Sequence, residues 1–439
     1  MSQIFLETRA AIGVLYGPEA AAQTRQTRRR AEKTLLGLRG VEANEAMQVC
    51  VALLSTPQDP AAVFAAQTVA FLCRTKEPGP EWAGSVVSLL RASIETGHAR
   101  AVTTALSLGV CALVVRLKAW PASALIPAVA NGIGDSAGSP TIMAALLNLL
   151  RLLPEEMENE QLAASEFQLD ECREQLAADA AAEVVTLCVP MIQVGHSLAA
   201  SALGCLSAWI KSSLLPWAAL ERAMQPALVV MVEALHVVSS NGADADSAAV
   251  ALGRGCELLT AATARDLDGE RIGLFVNAAL SLAGGFGAVC REAARAHAAG
   301  ESDVAVVSAA AALALMYADI GICTPPAAIG QHGVLLELLL NACTHPAPQV
   351  PALGSRAYQA YLAYLHPPPT LDAAVPQVAS PVLGFWARAG EAVVRAHPAA
   401  AQPLLNALVG AATYPVDYAR LTEEIDGYDE RSPDRDGTR

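Results

Sequence analysis

The chain is predicted to be all-α, an array of helical hairpins, and three observations carry that prediction. Hydrophobic residues fill 53% of its 439 positions but aromatics only 5%, so the apolar content is mainly Ala, Leu and Val, which suits close helix packing better than sheet cores. Helix breakers recur every ~20 residues, giving hairpins of ~40, the period of HEAT and armadillo units. Between breakers the apolar residues keep helical spacing: Leu146, Leu149, Leu150 and Leu153 fall at i, i+3, i+4 and i+7. A chain longer than the roughly 250–300 residues that one core supports must also be multidomain or repetitive.

Taken in order, the breakers are Gly17-Pro18, Gly40, Pro57 to Pro60, Pro78 to Pro80, Gly97, Pro121, Gly134 to Pro140 and Pro154. The rhythm continues more loosely through Gly195, Pro216 to Pro226, Asn241-Gly242, Gly300, Pro325-Pro326, Pro346 to Pro351 and Pro367 to Pro369. They delimit about nine helix pairs: Ile4 to Leu38, Asn44 to Lys76, Trp82 to Trp120, Ala122 to Pro154, Glu171 to Leu215, Leu220 to Ala264, Arg271 to Ile322, Leu335 to Leu365, and Ala374 to Ala412. Asp268-Gly269 and the Ala299-Gly300 region read as turns, not domain boundaries. No interior linker is long enough to separate domains, so 1–413 is expected to be one run of repeats. Residues 414–439 are expected to be a solvated tail or the start of a further repeat, with eight acidic residues against four arginines from Asp417 onward.

The formal net charge of −14 argues against nonspecific nucleic-acid binding, whose affinity comes largely from neutralised phosphates. Basic protein partners are the natural complement. Lysine is confined to Lys33, Lys76, Lys118 and Lys211. The ten cysteines form no C-x-x-C pair, so they read as reduced, buried small hydrophobes of a cytosolic or nuclear protein, and no metal or cofactor is expected. Glu7 and Arg9 interrupt the N-terminal stretch, which does not read as a signal peptide. Ile272 to Cys290 and Val184 to Ile210 carry no charge and could span a bilayer by length. Gly284, Gly285 and Gly287 in the first and Pro190 and Gly195 in the second favour buried repeat helices over membrane insertion.

Other motifs weigh little. Gly134-Asp135-Ser136-Ala137-Gly138 matches the nucleophile elbow of serine hydrolases, with Ser136 as nucleophile, but no strand precedes it and no oxyanion loop lies upstream. An inter-helix turn is the better reading, and hydrolase activity is a distant third function. Gly284-Gly285-Phe286-Gly287 lacks the third glycine of a dinucleotide fingerprint. The Arg28-Arg29-Arg30 run spreads around a helix as a solvated face does.

Four strings remain: Phe64-Ala65-Ala66-Gln67-Thr68, Leu152-Leu153-Pro154-Glu155-Glu156, Ala202-Leu203-Gly204-Cys205-Leu206-Ser207-Ala208-Trp209 and Tyr414-Pro415-Val416-Asp417-Tyr418. Their order, with Ile4 to Pro18 before them and Ile322-Cys323-Thr324-Pro325 between the last two, resembles the importin-beta superfamily of nuclear transport receptors. The combination is most similar to the SR-protein-type transportins, over about residues 1–430 and within their N-terminal half, with an importin-beta-like N-terminal region inside about 1–120.

That resemblance implies a right-handed superhelical solenoid of HEAT/armadillo-type hairpins. It implies a binding protein, not an enzyme, that carries cargo through the nuclear pore under Ran-GTP control and moves between nucleus and cytoplasm. Nucleoporins and protein cargo, basic or Arg/Ser-rich in a full-length receptor, are the further implied partners. The alternative is a helical-repeat scaffold without transport activity. Family members carry cations three and five residues beyond the Gln of the first string, where this chain has Ala70 and Leu72, so Gln67, Arg74 and Lys76 are the candidate Ran-GTP-binding residues. On a helix, Gln67, Thr68, Arg74 and Thr75 form one polar stripe, and charge reversal at Arg74 and Lys76 is expected to leave stability nearly unchanged. Family members are also about twice as long; the arginines after Lys211 are scattered, so this chain alone is not expected to hold a phosphorylated Arg-Ser segment.

Overall fold

The computed structural model describes residues 3–323, apart from 19, 56–59, 118–124, 134–138, 241, 266–270 and 299–302. The pairs expected over Leu335 to Leu365 and Ala374 to Ala412, the Tyr414 to Tyr418 string, the acidic tail and Ser136 lie outside the described residues. Every regular element among the described residues is helical. The chain divides into two compact units, Met1–Leu267 and Asp268–Arg439.

The first unit is a stack of hairpins. They pair α1 (Gln3–Tyr16) with α2 (Arg25–Leu38), α3 (Ala43–Leu53) with α4 (Pro60–Thr75), α5 (Trp82–Glu95) with α6 (Arg100–Leu117), and α7 (Leu125–Ile133) with α8 (Pro140–Met157). After α9 (Glu166–Gln175) come α10 (Ala181–Ile192) with α11 (His196–Lys211) and α12 (Trp217–Ser239) with α13 (Ala245–Arg265). Second helices pack in succession, α4 on α6, α6 on α8, α8 on α11 and α11 on α13. First helices form the other layer, with α1 on α3, α5 on α7 and α10 on α12. These contacts link each hairpin to the next along the stack, which is HEAT-type organisation.

Local chemistry sets the ends. Thr24 caps α2 by accepting from the Thr27 N–H, and Ser139 caps α8 with Pro140 in its first turn. Ser165 and Gln168 form a reciprocal capping box that starts α9, upstream of the Glu171 boundary expected from the sequence. A single π-turn, Leu176–Ala180, joins α9 to α10.

Three prolines read as breakers lie inside helices instead: Pro154 in α8, Pro190 in α10 and Pro226 in α12. A helical proline frees the carbonyl four residues back. At Pro154 that carbonyl belongs to Leu150, and the indole N–H of Trp209 donates to it at 2.8 Å. Pro190 is exposed and Pro226 half-exposed, where water can serve the same need.

Two helical stretches, Arg100–Leu117 and Glu166–Ile192, are long and apolar enough to cross a membrane. The first packs against α4, α5 and α8 within the stack, the setting expected of a buried repeat helix. Cys50, Cys73, Cys111, Cys188, Cys205 and Cys256 are buried free thiols, and burial pushes Cys50 and Cys73 up to about 12. We expect iodoacetamide to leave peptides carrying these six unlabelled in native protein and to label them in urea, because the thiolate is the nucleophile. Native labelling at the rate of a free thiol would contradict this packing.

The described part of the second unit holds α14 (Ile272–Ser281), α15 (Ala283–Ala298) and α16 (Val304–Cys323), three helices where one pair was expected. The additional break falls at Leu282, and the two helices that flank it are bent by 44°. Phe286 from the glycine-rich string is buried against Tyr317, ring centroids 5.2 Å apart, and the Tyr317 hydroxyl donates to Ala279 O at 2.8 Å.

Candidate protein-binding surface

Three of the four signature strings sit on second helices, and their side chains tie those helices together. In the first, Ala65, Ala66 and Thr68 are buried, and the Thr68 hydroxyl donates to Phe64 O at 2.9 Å. Gln67 alone of the five is exposed. In the second, Glu156 is buried at 2% exposure. Its carboxylate accepts from Arg74 Nε and, at 2.6 Å, from Arg74 Nη2, a bidentate pair between α8 and α4. In the third, Trp209 is fully buried and bonds α8 through Leu150 O.

This placement corrects the expected polar stripe. Thr68 faces the core, Arg74 is engaged by Glu156, and the Thr75 hydroxyl turns back to Phe71 O at 2.8 Å. Reversal of the Arg74 charge therefore cannot be neutral to stability, because it would set a second carboxylate against buried Glu156. Lys76 lies just past the end of α4, and its carbonyl accepts from Arg116 Nη1 at 2.6 Å. The same guanidinium takes the Cys73 carbonyl, also at 2.6 Å. Arg116 thus closes the C-terminal end of α4, where a cation meets the orphan carbonyls and the negative end of the helix dipole; partial burial lowers its pKa. Ala70 and Leu72 are core residues at 3% and 0% exposure. The structure brings Arg74 and Lys76 near one helix end and leaves Gln67 about two turns away toward the start of α4.

Two surface features of the second-helix layer escaped the sequence reading. The first is a groove of about 480 Å³ across the starts of α6, α8, α11 and α13. Arg100, Thr104, Thr141, Asn148, Ser201 and Ser247 line it, and no Asp or Glu does among the described residues. Hydroxyls and an amide both donate and accept, so this wall suits the backbone and polar side chains of another protein. The second lies at Gly204. A Cβ built there would stand 3.4 Å from the Cδ atoms of both Arg151 and Arg254. Two arginine stems therefore lie across α11 at the distance where a Cβ would touch them in ordinary van der Waals contact. Each guanidinium is also paired, Arg151 with Glu155 and Arg254 with Glu257, both at 2.7 Å. Beside the groove His196 Nδ1 is 2.9 Å from Asp244 Oδ2; bonds from Ser247 and then His196 hold that carboxyl below its usual range. Among the described residues no group of three or more His, Cys, Asp or Glu could hold a metal ion.

Residues 99–250 match the family model Xpo1, exportin 1-like protein. The matched span contains α6 to α12 whole and enters α13, so it covers most of the groove and Gly204 with Arg151. It supports the importin-beta and exportin type of receptor without singling out the SR-protein transportins. No curated protein matches the chain.

Proposed function

We propose that the chain is a nuclear transport receptor of the importin-beta and exportin type, which binds Ran-GTP and protein cargo and moves between nucleus and cytoplasm. The observation that carries this reading is the exportin 1-like match over 99–250, which falls on the helices bearing the polar groove and the two arginines over Gly204. The finer assignment to the SR-protein transportins rests on the four strings alone. A receptor of this kind works by coupled binding: Ran-GTP and cargo each favour one state of the stack, and their mutual effect is a coupling free energy. Nothing in the arrangement calls for a reaction. Gln67 and Lys76 remain the partner-facing Ran candidates, with Arg74 supporting them through Glu156.

A scaffold without transport is the second reading, favoured by buried Ala70 and Leu72 and by the engagement of Arg74. Immobilised chain exposed to Ran locked with GTP and to Ran-GDP separates the two. Retention of the GTP form alone is the expected result. Equal or absent retention of both forms would favour the scaffold.

A further inference from the structure

At the edge of the polar groove, whose lining includes Ile94, Gly97 and His98, α5 ends in a Schellman motif. Gly97 adopts φ +70°, its N–H bonds Ile94 O, and the His98 N–H bonds Ser93 O at 3.0 Å. In this motif the side chains at the positions of Ser93 and His98 meet, and an apolar pair is usual. Here both are polar. Ser93 is 2% exposed, and neither its Oγ nor the buried Nε2 of His98 has a hydrogen-bond partner within the protein. Both residues line one cavity of about 160 Å³, walled otherwise by Val51, Leu54, Ser55, Leu89, Ala92 and Thr96, with the Ser55 hydroxyl donating to Ala52 O at 2.7 Å.

The polarity of the two groups can be deduced. The Thr96 hydroxyl has one hydrogen and three acceptors in reach, Ala92 O at 2.7 Å, Ser93 O at 3.4 Å and His98 Nδ1 at 2.6 Å; assigning that hydrogen to Ala92 O makes Thr96 the acceptor from Nδ1. Nδ1 therefore carries the imidazole proton of the neutral ring and Nε2 presents a lone pair. Ser93 supplies the complementary O–H. A buried polar group without a partner is costly, and the cavity is several times the ~30 Å³ that one water occupies.

We propose that this cavity binds a hydroxyl group, which donates to His98 Nε2 and accepts from Ser93. Water and a small aliphatic alcohol share that chemistry. In protein labelled with 15N-histidine, with His98 assigned by its loss in His98→Leu, the ring is expected as the Nδ1–H tautomer. A cross-relaxation signal from water at that ring would assign the source to solvent, and saturation transfer to added 2-propanol that His98→Leu abolishes would assign it to a solute. Hydrogen exchange gives an independent readout. Ser93→Ala is expected to speed exchange of the Gly97 and His98 amides about tenfold. Adding His98→Leu to that variant should restore slow exchange at both positions, because an apolar pair then completes the motif. An Nε2–H tautomer, an absence of both hydroxyl signals, or the same effect of His98→Leu with and without Ser93→Ala would overturn the proposal.

Discussion

Glu156→Ala is expected to destabilise the first unit by about 3–5 kcal/mol, the usual cost of removing one partner of a buried ion pair. The carboxylate is almost wholly buried, and Arg74 is itself only 16% exposed on its side chain, so the orphaned guanidinium cannot rotate freely into water. The double variant Arg74→Met with Glu156→Leu should recover most of the loss, since replacing both partners by apolar groups removes the desolvation penalty. Urea denaturation followed by the combined fluorescence of the five tryptophans, with far-ultraviolet circular dichroism as a second probe, tests both statements. A loss under about 1 kcal/mol in Glu156→Ala would mean that the pair behaves as an exposed surface bridge. The same physics rules out charge reversal at Arg74 as a clean probe of Ran binding. Gln67 and Lys76 are the positions at which binding can be changed with little structural consequence.

Many helix ends of the first unit were legible because glycine, proline and capping residues act locally, whereas the stretch from Glu171 to Leu215 begins inside α9 and holds α10 and α11 besides. Pro154, Pro190 and Pro226 misled for a physical reason. Whether a proline ends a helix depends on who takes the freed carbonyl, and at Pro154 the taker is Trp209, 55 positions away. The Ser165 capping box was readable and would have placed the start of α9. The groove was not readable, since Thr104, Thr141, Ser201 and Ser247 share no spacing and meet only through the stacking of four helices. Arg74 shows the limit most clearly. Its helix position suggested a solvent-facing cation, and only the fold brings Glu156, 82 positions later, into contact with it. The strings that carry the family resemblance are therefore largely its packing ties: Glu156 and Trp209 belong to the interior and Gln67 to the surface.

The tie at Trp209 gives the second large effect. Trp209→Ala removes a fully buried indole from between α11 and α8, and truncations of that size cost about 3–5 kcal/mol. Trp209→Phe separates the terms. It keeps much of the ring volume but deletes the donor, leaving the Leu150 carbonyl without a partner because Pro154 has no N–H to offer it; about 1–3 kcal/mol should be lost. Pro154→Ala supplies an N–H four residues after Leu150, the ordinary helical partner. Introduced into Trp209→Phe, it is expected to recover more stability than it adds to the unsubstituted protein, where the carbonyl is already satisfied. A double-mutant cycle in urea measures that difference directly. Equal effects of Pro154→Ala in both backgrounds would show that the Trp209 to Leu150 bond does not compensate for the proline, and that the helix tolerates Pro154 for some other reason.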